Sequence, residues 1–197
     1  MKANLIDSLR HGDRFWLMDG AMGTQLQKRG MPAGAKPELL NLTHPEMVTA
    51  VHRDYLAAGA EILYTNTFGA NCRKLASCGY SPKEVIFAAV QNARAAGGDA
   101  LVALDIGPIG ELLEPTGTLR FEDAYTLFQE QAAAGIAAGV DLIVVETMTD
   151  LYEVKAAILA VKETCEQLGK PLPLLVSMTF EANGRTFTCL LYTSDAA

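Results

Sequence analysis

Two stretches, AGAEILYTNTF (58–68) and AGVDLIVVETM (138–148), share one organisation that decides the fold. Each begins with a small residue and a glycine, continues through an acidic residue into an apolar run, and ends in polar residues. GDRFWLMDGAMG (12–23) and GGDALVALDIG (97–107) repeat the pattern, and KPLPLLVSMTF (170–180) repeats it without the acidic residue. Apolar runs of this length, rich in valine, isoleucine and leucine, are typical of strands buried on both faces of a parallel sheet.

Helical patterns with recognisable start signals separate the apolar runs. THPE (43–46) and SPKE (81–84) each place a hydroxyl residue three positions before a glutamate, with proline in the first turn, as in a capping box. Asp105 and Glu146, which close two successive runs, are 146 − 105 = 41 residues apart. That spacing accommodates one strand and one helix, so the sequence predicts a single domain of repeated βα units.

Two architectures consist of serial βα units, the open doubly wound sheet and the closed (β/α)8 barrel. The polar residues favour the barrel, because a barrel active site collects side chains from the C-terminal ends of many strands. Every apolar run here ends in such residues, namely Asp19, Asn66 with Thr67, Asp105, Glu146 and Ser177. We therefore predict an α/β fold, a (β/α)8 TIM barrel of which about the first five βα units are present.

Composition excludes several classes of function. A net charge of −7 argues against binding to nucleic acid and to anionic membrane surfaces. No run approaches the ~18 apolar residues that span a bilayer, and the N-terminal residues lack the apolar core of a signal peptide, so we expect a cytoplasmic protein. The four cysteines have no zinc-site spacing and are expected to be reduced thiols (Cys72, Cys78, Cys165 and Cys189).

The segment MDGAMGTQLQ (18–27) is predicted to contain a strand end, a glycine-flanked turn and a helix start. Backbone N–H groups of such a turn can bind an anion, for example a substrate carboxylate. Asp19 and Glu146, each at the end of an apolar run, could together bind an ammonium group, and this combination describes an amino-acid substrate. An acid/base pair of the glycosidase kind, formed by the same two carboxyl groups, is the alternative.

Other polar residues near the predicted strand ends have two readings. Asn66 and Thr67 supply amide and hydroxyl groups that orient a ligand, or they are an ordinary cap and an ordinary strand residue. Asp105 precedes a loop rich in glycine and proline, and it either contacts the substrate or braces that loop. The three histidines precede or lie within predicted helices, and we expect none of them to be catalytic (His11, His44 and His52).

Several long motifs, in order along the chain from about Gly12 to Thr188, resemble the homocysteine S-methyltransferase family. They are MDGAMGTQLQ (18–27), VHRDYLAAGAEILYTNTFGANCRKL (51–75), DIGPIGELLEPTG (105–117), GVDLIVVETMTDLYEVKAA (139–157) and SMTFEANGRTFT (177–188). The resemblance is closest to the N-terminal homocysteine-binding module of the cobalamin-dependent methionine synthases. It implies a barrel that binds homocysteine and a zinc ion at its C-terminal face.

The resemblance also implies roles for individual residues. Asp19 and Glu146 match the acids with which the family binds the amino group of homocysteine. The remaining residues expected to bind the substrate belong to the turn or to strand ends: Gly20, Ala21, Gly23, Asn66, Thr67, Asp105 and Ser177.

The zinc of the family is held by three cysteines, one in an Asn-Cys motif after the sixth strand and two in a Cys-Cys pair near the last strand. Neither motif occurs at a corresponding position of this sequence, and CLLYTSDAA (189–197) does not resemble the family's continuation. We therefore expect residues 1–188 to form a partial homocysteine-binding barrel and residues 189–197 to be a non-native or frameshifted tail. The zinc ligands are then absent from this chain, which is expected to be inactive.

The resemblance implies methyl transfer from methylcobalamin to homocysteine, giving methionine, with folate-binding and cobalamin-binding modules as partners in a full-length protein. Betaine-dependent and S-methylmethionine-dependent enzymes share the barrel and the zinc, so another methyl donor is an alternative. Two readings of another kind also stand: a domain that binds an amino acid without turnover, and an unrelated open α/β enzyme that uses Asp19 and Glu146 as acid and base.

Overall fold

The computed structural model describes residues 5–12 and 14–186. The helices in this part of the chain are α1 (Leu5–His11), α2 (Met22–Lys28), α3 (Leu40–Thr43), α4 (Pro45–Ala57), α5 (Cys72–Leu75), α6 (Pro82–Ala95), α7 (Phe121–Ala138) and α8 (Leu151–Gln167). The strands are β1 (Ile62–Tyr64), β2 (Leu101–Ile106), β3 (Leu142–Met148) and β4 (Leu174–Met178). A single 3-10 turn at Pro37–Leu39 precedes α3.

All four strands lie parallel in one sheet, in the order β1-β2-β3-β4. Each strand therefore pairs with its successor in the sequence, and helices connect the strands. A doubly wound sheet reverses its strand order at a switch point, whereas a (β/α)8 barrel adds strands in sequence. The sheet confirms four of the five predicted strands and the prediction of a partial (β/α)8 barrel.

The first predicted strand is much shorter than its apolar run. Residues of this segment meet β1 through one isolated bridge between Met18 and Ile62. The amide of Asp19 donates to the carbonyl oxygen of Ile62 (2.9 Å), and that of Glu61 donates to the carbonyl oxygen of Leu17 (2.7 Å). Phe15, earlier in the run, is 99% exposed. The run therefore contributes a short extended segment beside β1, which is enough to fix the position of Asp19.

One of the two predicted capping boxes is confirmed and one is wrong. Ser81 accepts a hydrogen bond from the amide of Glu84, whose side chain accepts from the amide of Ser81 at the start of α6. Thr43 does not cap α4, because its hydroxyl donates to the carbonyl oxygen of Leu39 in the preceding turn (3.1 Å). His44 occupies the N-cap position of α4 and makes no side-chain capping hydrogen bond.

The main core lies between the sheet and the helices that cover it. Phe128 of α7 and Leu104 of β2 are both fully buried there. Helix α7 approaches the sheet closely at Gly135, where an added Cβ would lie 2.5 Å from Leu104 Cδ2. A second cluster covers the other face of the strands and includes Leu142 and Val144. The strands are thus buried on both faces, which holds their C-terminal ends in fixed positions.

Within the described residues, we find no helix with the length and apolar character needed to cross a membrane.

Candidate functional site

A cavity of about 550 Å³ lies at the C-terminal ends of the strands, beside the turn that follows Met18. Four carboxyl side chains line it: Asp19, Glu38, Asp105 and Glu146. Within the described part of the chain, no lysine, arginine or histidine is among its lining residues. The cavity is therefore strongly acidic, and it suits a ligand that carries a positive charge.

Asp19 follows the short segment that pairs with β1. Both of its carboxyl oxygens accept the backbone N–H of Tyr64, at 3.1 Å each. Burial raises the pKa of Asp19 to about 7, and the nearby carboxyl of Glu146 contributes, while the hydrogen bond from Tyr64 opposes the increase. Near neutral pH, the Asp19 carboxyl is thus balanced between its protonated and ionised forms.

His52 lies on the side of Asp19 that faces α4. Its Nδ1 is 3.9 Å from Asp19 Oδ2, and its side chain is fully buried. Burial lowers the pKa of His52 to about 4, so the ring is neutral at pH 7. The sequence pattern assigned no role to this residue, because a histidine within a helix carries no signal that it will meet a strand end.

Asp105 lies on β2 with its side chain in the cavity. The residue is 7% exposed, and its Oδ1 has no hydrogen-bond partner in the described part of the chain. Burial raises the pKa of Asp105 well above its usual range, and the carboxyls of Glu146 and Asp19 add to the shift. An unpaired buried carboxyl group is costly, so a ligand that donates a hydrogen bond to Asp105 would offset that cost.

Glu146 stands where β3 becomes irregular. The pairing between β3 and β4 shifts register between Val145 and Met148, and Thr147 has a φ of 57°. Positive φ is a strained conformation for a β-branched residue, and strain of this kind is often retained beside functional groups. Burial raises the pKa of the half-buried Glu146 carboxyl. The irregularity thus lies directly beside the carboxyl that enters the cavity.

Ser177 was expected to contact the substrate, and the structure places it outside the cavity. It is exposed on β4, and its hydroxyl oxygen accepts the backbone N–H of Thr147 at 3.2 Å. Ser177 therefore contacts the backbone of Thr147, the residue that follows Glu146, and supports the irregular part of β3.

Asn66 and Thr67 occupy different positions relative to the cavity. Asn66 lines it, and its side-chain amide donates to the carbonyl oxygen of Pro37 (2.7 Å). Thr67 is fully buried behind the lining residues, and its hydroxyl donates to the carbonyl oxygen of Asp105 (2.7 Å). Asn66 thus ties the 3-10 turn to the site, and Thr67 ties the loop after β1 to β2.

Glu38 is a cavity residue for which the sequence carried no signal. It lies in the 3-10 turn, is 8% exposed, and accepts the backbone N–H of Gly69 through Oε1 (2.7 Å). A side chain on Gly69 would force Glu38 to move, since its Cβ would lie 2.5 Å from that oxygen. Only tertiary folding buries this glutamate, which in the sequence resembles any surface residue of a short helix.

The turn from Gly20 to Gly23 lines the cavity. The hydroxyl of Tyr55 donates to the carbonyl oxygen of Ala21 (3.1 Å). A Cβ on Gly20 would lie 2.9 Å from the same hydroxyl, so this approach requires glycine or a shift of Tyr55. The first N–H groups of a helix have no partner within that helix, and in α2 they include those of Met22 and Gly23, which line the cavity.

The loop that follows β2 is held by the half-buried side chain of Lys74 and the buried side chain of Glu153. Lys74 Nζ donates to the carbonyl oxygen of Pro108 (2.8 Å), and Glu153 Oε1 accepts the backbone N–H of Ile109 (2.6 Å). Burial raises the pKa of Glu153 to about 7. Lys74 and Glu153 therefore both brace the loop that Asp105 precedes.

The described residues do not fit a zinc ion held by three thiolates. No group of three or more histidine, cysteine, aspartate or glutamate side chains in this part of the chain is placed to hold a metal ion. Cys72 is exposed, Cys78 is partly buried and Cys165 is buried in the main core, so the three differ in environment. Cys189 and the rest of the predicted tail at 189–197 lie outside the described residues.

Comparisons with known proteins agree with the fold. Methionine synthase from Mycobacterium leprae is 32% identical over 199 residues, and methionine synthase from Mycobacterium tuberculosis is 34% identical over 203 residues. Each alignment covers 92% of this chain and 16% of the relative. The chain thus spans about 16% of the length of these curated relatives.

Solved structures of the homocysteine methyltransferase MmuM from Escherichia coli have the same fold. The metallated form superposes with a TM-score of 0.75 at 24% identity, covering 90% of this chain and 68% of that protein. The oxidized form superposes with a TM-score of 0.77 at 25% identity, and the match covers 93% of this chain and 68% of that protein.

A family defined as homocysteine S-methyltransferase matches residues 16–192, which is most of the chain. On that match, the chain belongs to the homocysteine S-methyltransferase family.

Proposed function

We propose that this chain forms the homocysteine-binding part of a homocysteine S-methyltransferase of the methionine synthase type. The observation that carries the proposal is the cavity with four lining carboxyl groups and no cationic lining residue among those described. Such a cavity selects a ligand with an ammonium group. The family match and the methionine synthase relatives support homocysteine as that ligand.

The ammonium group of homocysteine would contact Asp19 and Glu146, with Asp105 as a third acceptor. All three carboxyls have raised pKa values in the empty cavity, and a cation among them would favour their ionised forms. The carboxylate of homocysteine would lie against the backbone N–H groups of the turn from Gly20 to Gly23. The ammonium group would thereby bind carboxylate acceptors, and the carboxylate would bind N–H donors.

The thiol of homocysteine needs a further group for reaction. A thiol with a pKa of about 8.5 is mostly protonated at pH 7, and a zinc ion would deprotonate it. The described residues supply recognition of the amino-acid end but not a set of zinc thiolates. We therefore propose that the chain alone binds homocysteine without methylating it, and that methylcobalamin is the donor in the whole protein.

A calorimetric titration with L-homocysteine tests the proposal most directly. Homocysteine should bind, while 4-mercaptobutyrate, which lacks the amino group, should bind at least about tenfold more weakly because it leaves buried carboxyls unpaired. Glu146→Gln should weaken binding of homocysteine, and Glu166→Gln, on the exposed side of α8, is the matched control. Equal binding of the two ligands to the wild-type chain would contradict the proposal.

A further inference from the structure

The imidazole of His52 is buried and has no hydrogen-bond partner among the residues that the structure describes. Its exposed fraction is 0%, and neither Nδ1 nor Nε2 makes a hydrogen bond. A neutral imidazole has one donor and one acceptor, and leaving such groups unpaired in the interior is costly. A buried polar group of this kind therefore requires an explanation other than packing.

The ring of His52 lies beside the Asp19 carboxyl. Its Nδ1 is 3.9 Å from Asp19 Oδ2, which is slightly longer than a hydrogen bond. Asp19 already accepts the N–H of Tyr64. An ionised carboxylate offers about four acceptor sites, so Oδ2 can accept a second donor from the side of His52.

Among the described residues, no other group makes a hydrogen bond or an ion pair with the His52 ring in place of Asp19. Glu146 of β3 raises the pKa of Asp19, and Glu146 and Asp19 raise that of Asp105 on β2, so the neighbouring ionisable groups are carboxyls. Tyr64 of β1 contributes its backbone N–H. Helices α2, α3 and α6 pack against α4, and none of their described residues makes a hydrogen bond or ion pair with the His52 ring. In this part of the chain, Asp19 is therefore the ionisable group that the ring faces.

We propose that His52 is a positioning residue for Asp19. The proton of its neutral ring lies on Nδ1, and this N–H faces Oδ2 and stabilises the ionised carboxylate when an ammonium group occupies the cavity. His52 is not among the residues that line the cavity, so it acts through Asp19 and touches no ligand. The identity of that ligand rests on the proposed function, whereas the contact between the two side chains does not.

The pKa of Asp19 in the ligand-free protein, measured by carbon NMR of its carboxyl group, tests the proposal. Asp19→Asn assigns the signal. His52→Leu removes the donor and should raise the pKa of Asp19 by about half a unit to one unit. His52→Asn retains an N–H donor near the position of Nδ1 and should leave that pKa close to the wild-type value. His44→Leu, at an exposed histidine that precedes the same helix, is the control.

An unchanged pKa of Asp19 in His52→Leu would overturn the proposal. If the leucine variant does not fold, His52→Gln replaces it, because glutamine places its amide near Nε2 and should not substitute for Nδ1. Equal shifts in His52→Asn and His52→Gln would also overturn the proposal, since they would reflect packing alone. Failure of the wild-type chain to bind L-homocysteine would contradict the proposed function and leave the pKa result intact.

Discussion

The backbone N–H of Thr147 donates a hydrogen bond to the hydroxyl oxygen of Ser177, 3.2 Å away. This contact joins β4 to the irregular part of β3 at the residue that follows Glu146. Ser177 does not line the cavity, yet it supports the backbone from which a cavity carboxyl projects. The contact explains how a polar residue at the end of β4 can affect the site without touching a ligand.

Ser177→Ala removes this acceptor and leaves the N–H of Thr147 without it. We expect the affinity for homocysteine to fall about twofold to tenfold, the range that corresponds to one hydrogen bond. Calorimetric titration measures the change. Ser177→Thr, which retains a hydroxyl group on a strand residue, is the control and should bind like the wild-type chain. A larger loss in the threonine variant than in the alanine variant would argue against this role for the hydroxyl.

The affinity for homocysteine should increase between pH 5.5 and pH 8. The pKa of Asp19 is about 7 in the empty cavity, and an ammonium group prefers the ionised carboxylate, so binding displaces a proton from Asp19. Calorimetry near pH 7 in buffers of different ionisation enthalpy should therefore detect proton release. Asp19→Asn should reduce the release, and an affinity that does not vary with pH would contradict the expectation.

Asp19→Asn should stabilise the empty protein above pH 7. The folded pKa of Asp19, about 7, exceeds the unfolded value near 3.9, so the carboxyl stabilises the fold most below pH 4. That contribution is lost as the pH rises through 7. At pH 8, asparagine should raise the free energy of unfolding by roughly 1–3 kcal/mol relative to aspartate. Urea denaturation at pH 5 and pH 8 checks this, and a benefit that is larger at pH 5 would contradict it.

Gly107→Ala should destabilise the chain and disturb the cavity. A Cβ at Gly107 would lie 2.5 Å from the ring of Phe68, which lines the cavity. We expect a loss of about 1–3 kcal/mol in the free energy of unfolding, as for other overpacked sites, and weaker binding of homocysteine. Gly23→Ala is the matched control for stability alone, because its Cβ would meet nothing within 4 Å and α2 should gain stability.

Urea denaturation of both glycine variants measures the difference. Equal stability of Gly107→Ala and the wild-type chain would show that the Phe68 ring moves without cost.

The strands could be predicted because their signal is local. The runs that form β1 to β4 are apolar over most of their length, and burial on both faces of a parallel sheet requires that composition. The run at 12–23 has the same pattern but meets β1 mainly at Met18. How many residues of this run pair as a strand depends on the segments packed beside it. The composition of the run itself does not reveal those contacts.

The sequence analysis found the site residues whose carboxyl groups lie at strand ends. It missed the site residues that lie in helical segments. Asp19, Asp105 and Glu146 all follow or end apolar runs, and all three line the cavity. Glu38 and His52 lie in a 3-10 turn and in α4, where a charged or polar residue is usually solvent-exposed. Their burial results from the packing of these elements near the strand ends, which no short-range pattern reveals.

The strand order also has a consequence for synthesis of the protein on the ribosome. The four strands pair in the order in which they are synthesised. When a strand leaves the ribosome, the edge of the preceding strand is therefore already available for pairing. Of the four cavity carboxyls, Glu146 is synthesised last, 146 − 19 = 127 residues after Asp19. We expect nascent chains that end before β3 to fold their early units while lacking the complete acidic cavity, so that ligand recognition requires the synthesis of β3.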